Sequence, residues 1–131
     1  QVRQIGARFD ERLPLYGWLE DLDFSRQFLK AGRLVRSERL VGVHLGTKIS
    51  RSSGLRLGYS QVMNPWYLRR KGTVSWWVAI KHICLRLAGN YIYSHTKGDI
   101  LINRKERLRG NIIALCKLAK GEVDPEYILK L

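Results

Sequence analysis

The sequence predicts an α/β chain, mostly helical with one or two strands. Three observations carry that expectation. Several segments repeat apolar residues at helical spacing, one short β-prone run lies between charge and glycine, and an apolar content of 45% suffices for a core.

Residues 18–31 place Trp18, Leu22 and Leu29 on one helical face with Phe24 and Phe28 beside it, and Gly32 stops the helix. Leu40, Val41, Val43 and Leu45 predict a strand over 39–45, bounded by Gly46, with His44 at its exit. Residues 50–58, rich in glycine and serine, read as a mobile loop. Residues 60–70 read as a helix interrupted at Pro65, because proline lacks an amide donor and disfavours helical geometry in Asn64. In 74–88, Trp76, Ile80, Ile83, Cys84 and Leu87 share one broad arc, with His82 and Arg86 on the other side. In 103–120, Asn103 and Glu106 form a capping box, Leu108, Ile112, Leu115 and Ala119 a buried stripe, and Gly121 the terminal cap. Asp124 and Pro125 open a last short helix. So few strands cannot complete a doubly wound sheet. A partial sheet would expose an edge, to be covered by strands of a further segment or by self-association with a second copy.

Twenty-four basic residues against eleven acidic ones give a net charge of +13, which attracts phosphates, nucleic acid or anionic lipid without distinguishing them. With 11 of the basic residues in 1–57 and 13 in 58–131, no basic tail is set apart. No recognised nucleic-acid-binding pattern accompanies the charge, so specific nucleic-acid recognition is not expected. Cys84 and Cys116 fall in apolar helical patterns, which predicts buried free thiols in a reducing compartment rather than a disulfide framework. Residues 1–8 have no apolar core of signal-peptide type. The most apolar run, 74–88, is broken by Lys81, His82 and Arg86, so no membrane-spanning helix is expected.

The chemistry concentrates in residues 9–25, Phe-Asp-Glu-Arg-Leu-Pro-Leu-Tyr-Gly-Trp-Leu-Glu-Asp-Leu-Asp-Phe-Ser, which hold five of the eleven carboxylates around a glycine turn and a helix start. Exposed amides and the dipole at a helix N-terminus stabilise ionised Glu20 and Asp21, which suits a carboxylate that must accept a proton. Helical projection turns Glu20 and Asp23 to the polar side and Asp21 inward with Trp18, Ser25 and Phe28. On the residues alone, Asp21 serves equally as a helix cap.

This stretch resembles the family 2 glycosyltransferases of the GT-A fold, in which Phe-Asp-Glu precedes a Glu-Asp pair that opens the helix beneath the acceptor. Gly58-Tyr59-Ser60-Gln61, Asn64-Pro65-Trp66-Tyr67-Leu68, Lys71-Gly72, Arg107-Leu108-Arg109-Gly110-Asn111 and Asp124-Pro125-Glu126 resemble a subgroup that acts in bacterial surface-polysaccharide assembly. The resemblance spans nearly the whole chain. It implies the incomplete C-terminal part of a GT-A fold, with residues 1–58 as the acceptor side of the catalytic domain and 59–131 as a helical extension. It implies inverting transfer of a sugar from a nucleotide-sugar donor to a saccharide or glycolipid acceptor. Asp21 would be the general base, with Glu20 shaping the pocket and Trp18 and Asp23 contacting the acceptor. Relatives place glycine immediately before Phe-Asp-Glu, whereas Ala7 and Arg8 separate Gly6 from Phe9 here. The donor-binding strands and the Asp-x-Asp motif that follows one of them would lie upstream of Phe9, so this chain by itself is expected to be inactive.

Lys48, Arg51 and Arg56, in a glycine- and serine-rich stretch, would close over the donor diphosphate, or are simply solvated. His44 would contact the diphosphate or an inherited Mg²⁺ or Mn²⁺ whose other ligands lie elsewhere, or else bonds to backbone at a strand end. Trp76 and Trp77 beside Lys81 and Arg86 suit either an interfacial helix or ordinary packing. The expected location is cytoplasmic, peripheral at the inner face of the membrane. The competing function is a non-enzymatic basic module that binds nucleic acid or anionic membrane.

Overall fold

The computed structural model describes residues 2–35, 37–39, 41–43, 53–95 and 103–131. Its regular structure is helical: α1 (Val2–Ile5), α2 (Glu20–Gln27) followed by a 3-10 turn (Phe28–Lys30), α3 (Gly54–Lys71), α4 (Trp76–Ser94), α5 (Arg104–Ala119) and a closing 3-10 helix (Pro125–Lys130). Among the described residues there is no strand and no sheet. The α/β, GT-A-like expectation is thereby overturned, and with it the sheet edge through which self-association was expected. Within the predicted strand over 39–45, Val41 and Val43 are 87% and 85% exposed. β-propensity measures fit to a pleated, half-buried surface, and these side chains have none to fit.

The helices pack as a small bundle in which α3 touches both α4 and α5, and α4 touches α5. Its core is Tyr59, Val62 and Met63 of α3, Ile83 of α4, Ala114 of α5 and Ile128. The Tyr59 hydroxyl donates to the Asp124 carbonyl at 2.6 Å and ties down the chain end. A second cluster of Leu13, Leu68, Val74 and Ala79 seats the N-terminal segment on α3 and α4.

Local chemistry explains most helix ends. Ser53, Ser75, Asn103 and Asp124 each accept an amide from three residues on, at Arg56, Val78, Glu106 and Tyr127. Gly72 and Gly121 close α3 and α5 with positive φ. Helix α3, however, runs unbroken through Pro65, and it begins at Gly54, inside the stretch expected to be a loop. A proline in a helix interior costs about 3 kcal/mol, but Pro65 is wholly buried among the tightly packed side chains of this helix, and burial of Tyr59, Val62, Met63 and Leu68 outweighs that loss. The expected division at residue 58 falls inside α3.

The larger surprise is which side of α5 faces in. Ile112, Leu115 and Ala119 of the expected buried stripe point outward, and Arg107, Gly110, Asn111 and Ala114 are buried instead. The cause is a close crossing with α3. A Cβ on Gly110 would overlap the Leu55 carbonyl and lie 2.6 Å from the Tyr59 amide, and one on Gly58 would overlap the Arg107 carbonyl. At that separation, side-chain amides rather than large apolar groups fill the seam. Asn111 donates to the Gly58 carbonyl at 2.7 Å, and Asn90 of α4 donates to Gln61 at 2.9 Å and to Asn111 at 2.8 Å. Cys84 and Cys116 are free and exposed, which overturns the expectation of buried thiols.

Candidate functional site

The acidic segment folds against α3 and α4. Gly17 takes φ of +54°, where a side chain is strained, and a Cβ there would overlap the Glu20 carboxylate unless that side chain moved aside. Leu19 follows with φ of +70°, and α2 begins without a side-chain cap. The Asn64 side chain holds the Trp18 carbonyl at 3.1 Å, and the Arg86 guanidinium lies 4.9 Å from the centre of a Trp18 ring. Tyr16 and Trp18 stack at 6.1 Å between centroids with 22° between planes.

These constraints leave an open hollow of about 410 Å³ lined by Tyr16, Gly17, Trp18, Leu19, Glu20 and Asp21. Of the residues expected at the site, the structure brings together Trp18, Glu20 and Asp21. Asp21 is exposed, contrary to its expected inward projection, and one of its carboxylate oxygens accepts the Leu22 amide at 2.8 Å. Burial and then the neighbouring Asp21 charge push Glu20 above the ordinary carboxylate range. The Trp18 indole N–H is buried with no hydrogen-bond partner among the described residues.

Asp23, expected to touch the acceptor, is instead 0% exposed. It accepts from the Lys71 ammonium at 2.7 Å, and Lys71 also donates to Asp10 at 2.7 Å. Tyr67 adds a third contact, donating to Asp10 at 2.8 Å. These four side chains clamp the acidic segment to the end of α3, which is a positioning task rather than a binding one. Arg56 lies in the first turn of α3, outside the lining of the hollow. His44, Lys48 and Arg51 lie outside the described residues.

Asp21-Leu22-Asp23 does have Asp-x-Asp spacing, but the two carboxylates diverge, one toward solvent and the other onto Lys71. Among the described residues no three His, Cys, Asp or Glu side chains converge as metal ligands. The described carboxylates therefore do not fit the divalent ion that the family resemblance implies.

Comparison with protein-family models, curated proteins and solved structures finds no match. Function is accordingly read from the residues and their geometry.

The clamp carries a prediction of its own. Burial alone would raise the Asp10 pKa, but hydrogen bonds from Lys71, Tyr67 and the Arg12 amide outweigh it and hold Asp10 below its ordinary 3.8. Burial would lower Lys71, yet its bonds to Asp10 and Asp23 hold it above 10.5. A depressed carboxylate contributes stability above its unfolded pKa and loses it as pH falls through the folded one; a raised ammonium contributes below its unfolded pKa and loses it as pH rises. The clamp is therefore fully present between the two ordinary values and weakens outside them. Lys71→Met leaves wholly buried Asp23 without its counter-charge, and is expected to lower unfolding free energy at neutral pH by about 3 kcal/mol. Acid unfolding followed by circular dichroism should then begin at higher pH than in the wild type.

Proposed function

We propose that this chain forms the acceptor side of an inverting glycosyltransferase, one that acts in surface-polysaccharide assembly. A saccharide or glycolipid acceptor enters the hollow of Tyr16, Trp18, Glu20 and Asp21. The observation that supports this reading is the joint lining of one open hollow by two adjacent carboxylates and two stacked aromatic rings. Ring faces carry partial negative charge and suit the C–H-rich face of a sugar, while carboxylates accept hydrogen bonds from its hydroxyls.

In the proposed reaction the acceptor hydroxyl oxygen attacks C1 of the donor sugar, and its proton passes to the Asp21 carboxylate. The bond from C1 to the nucleotide diphosphate breaks, the electron pair leaves with the diphosphate, and the anomeric centre inverts. Glu20, beside it in the lining, is assigned hydrogen bonding to the acceptor. His44, Lys48, Arg51 and Arg56 remain assigned to the donor diphosphate, and the nucleotide-binding strands to a segment joined to this chain. By itself the chain is assigned acceptor binding and not turnover, in the cytoplasm.

Acceptor binding is directly measurable on this chain. Saturation-transfer NMR with oligosaccharides of bacterial surface polysaccharides is expected to show contacts that weaken about tenfold in Tyr16→Ala, since aromatic stacking contributes about 1 kcal/mol or more. Tyr16 is half-exposed, so its removal leaves the fold intact. Equal saccharide contacts in wild type and variant would remove the hollow from consideration.

A further inference from the structure

No helix among the described residues is long and apolar enough to cross a membrane. Yet α4 presents to the outside what a water-facing helix normally buries. At the helical repeat of 100° per residue, Trp77, Lys81, Leu85, Ala88, Tyr91 and Ile92 fall within an arc of about 120°. All six are exposed, Trp77 by 80%. Ala79, Ile83 and Asn90, on the opposite arc, are the side chains α4 buries. The exchange repeats on α5, which buries Asn111 and turns Ile112 and Leu115 outward. Each of these two adjoining helices thus buries an amide side chain while turning large apolar ones outward, and contiguous apolar surface on a folded chain marks a docking face.

The geometry points to the outward face of α4 as a docking surface for an anionic lipid bilayer, the helix lying along the headgroup boundary. Charge selects this occupant. Helix α4 contains no acidic residue, Lys81 sits within the apolar arc, and the chain carries +13, which draws it to an anionic surface and sets two copies repelling each other. Composition agrees. Trp77 and Tyr91, about 21 Å apart along the axis, are the side chains that anchor at a membrane interface. Elsewhere on α4, half-exposed Trp76 packs edge-on to Trp66, Arg86 lies over Trp18, and Tyr93 pairs with Arg104. This face lies away from the hollow, and the inference does not depend on the reaction proposed above.

The test uses the chain with vesicles of phosphatidylcholine mixed with phosphatidylglycerol, and with phosphatidylcholine alone. Sedimentation with the mixed vesicles is expected, with tryptophan emission quenched by brominated acyl chains. The double variant Trp77→Ser, Ile92→Ser is expected to partition at least about tenfold more weakly, as loss of two large apolar side chains from a lipid surface implies, with circular dichroism unchanged. Absence of wild-type binding to mixed vesicles overturns the proposal, as does equal binding by the variant, which would reduce the effect to charge alone. So does a dimer that the double variant dissolves, which would assign the face to a second copy, or binding to duplex DNA by a chain that ignores vesicles.

Discussion

Replacing Gly110 by valine is expected to abolish cooperative folding, and replacing it by alanine to lower unfolding free energy by about 3 kcal/mol or more. The alanine Cβ would overlap the Leu55 carbonyl, a backbone atom held within α3 that cannot move aside as a side chain could. Relief requires separating α3 from α5, the most extensive helix contact in the bundle. Separation would also stretch the bond from Asn111 to the Gly58 carbonyl and leave that buried amide donor without its partner. Such a group costs about 1–3 kcal/mol, so strain and lost bonding act in the same direction. Gly89 is the control. It lies inside α4 with open space around it, and Gly89→Ala is expected to stabilise by about 0.5–1 kcal/mol through helix propensity. Urea unfolding of the two alanine variants reads out both, and an unchanged midpoint for Gly110→Ala would refute the close crossing.

The same crossing explains what the sequence could and could not disclose. Features set by neighbours in sequence were legible: the Asn103 and Glu106 start of α5, its Gly121 end, the Asp124-Pro125 opening and the start of α2 near Glu20. Features set by distant partners were not. Apolar periodicity assigned the inward face of α5 to Ile112 and Leu115, because nothing local reveals that Gly58 and Gly110 bring two backbones together and hand the seam to amides. Pro65 reads as a helix break until the core around it is known. Asp23 projects to the polar side of its helix, and only Lys71, 48 residues away, shows why it is buried. A signal was nonetheless present at the glycines, since Gly58-Tyr59-Ser60-Gln61 and Arg109-Gly110-Asn111 each pair a residue that permits close approach with an amide able to bridge it. At the hollow, Glu20 and Asp21 were legible as a pair at a helix start. Which of them lies exposed was not.

That exposure shapes the largest effect expected on activity. In a polypeptide that joins this chain to a donor-binding segment, Asp21→Asn is expected to reduce sugar transfer by about 100- to 10,000-fold, the usual contribution of a general base. Asparagine keeps the size of the side chain and can still accept the Leu22 amide through its carbonyl oxygen, so the hollow keeps its shape while the proton acceptor is lost. Acceptor binding and nucleotide binding should therefore survive, and the loss should fall on kcat rather than KM. Glu20→Gln differs in kind. Glu20 is assigned hydrogen bonding to the acceptor and not proton transfer, so the expected change is a moderate rise in KM with kcat nearly retained. Should the Asp21→Asn variant keep wild-type turnover, the proton acceptor is another group and Asp21 returns to the role of a helix-start carboxylate.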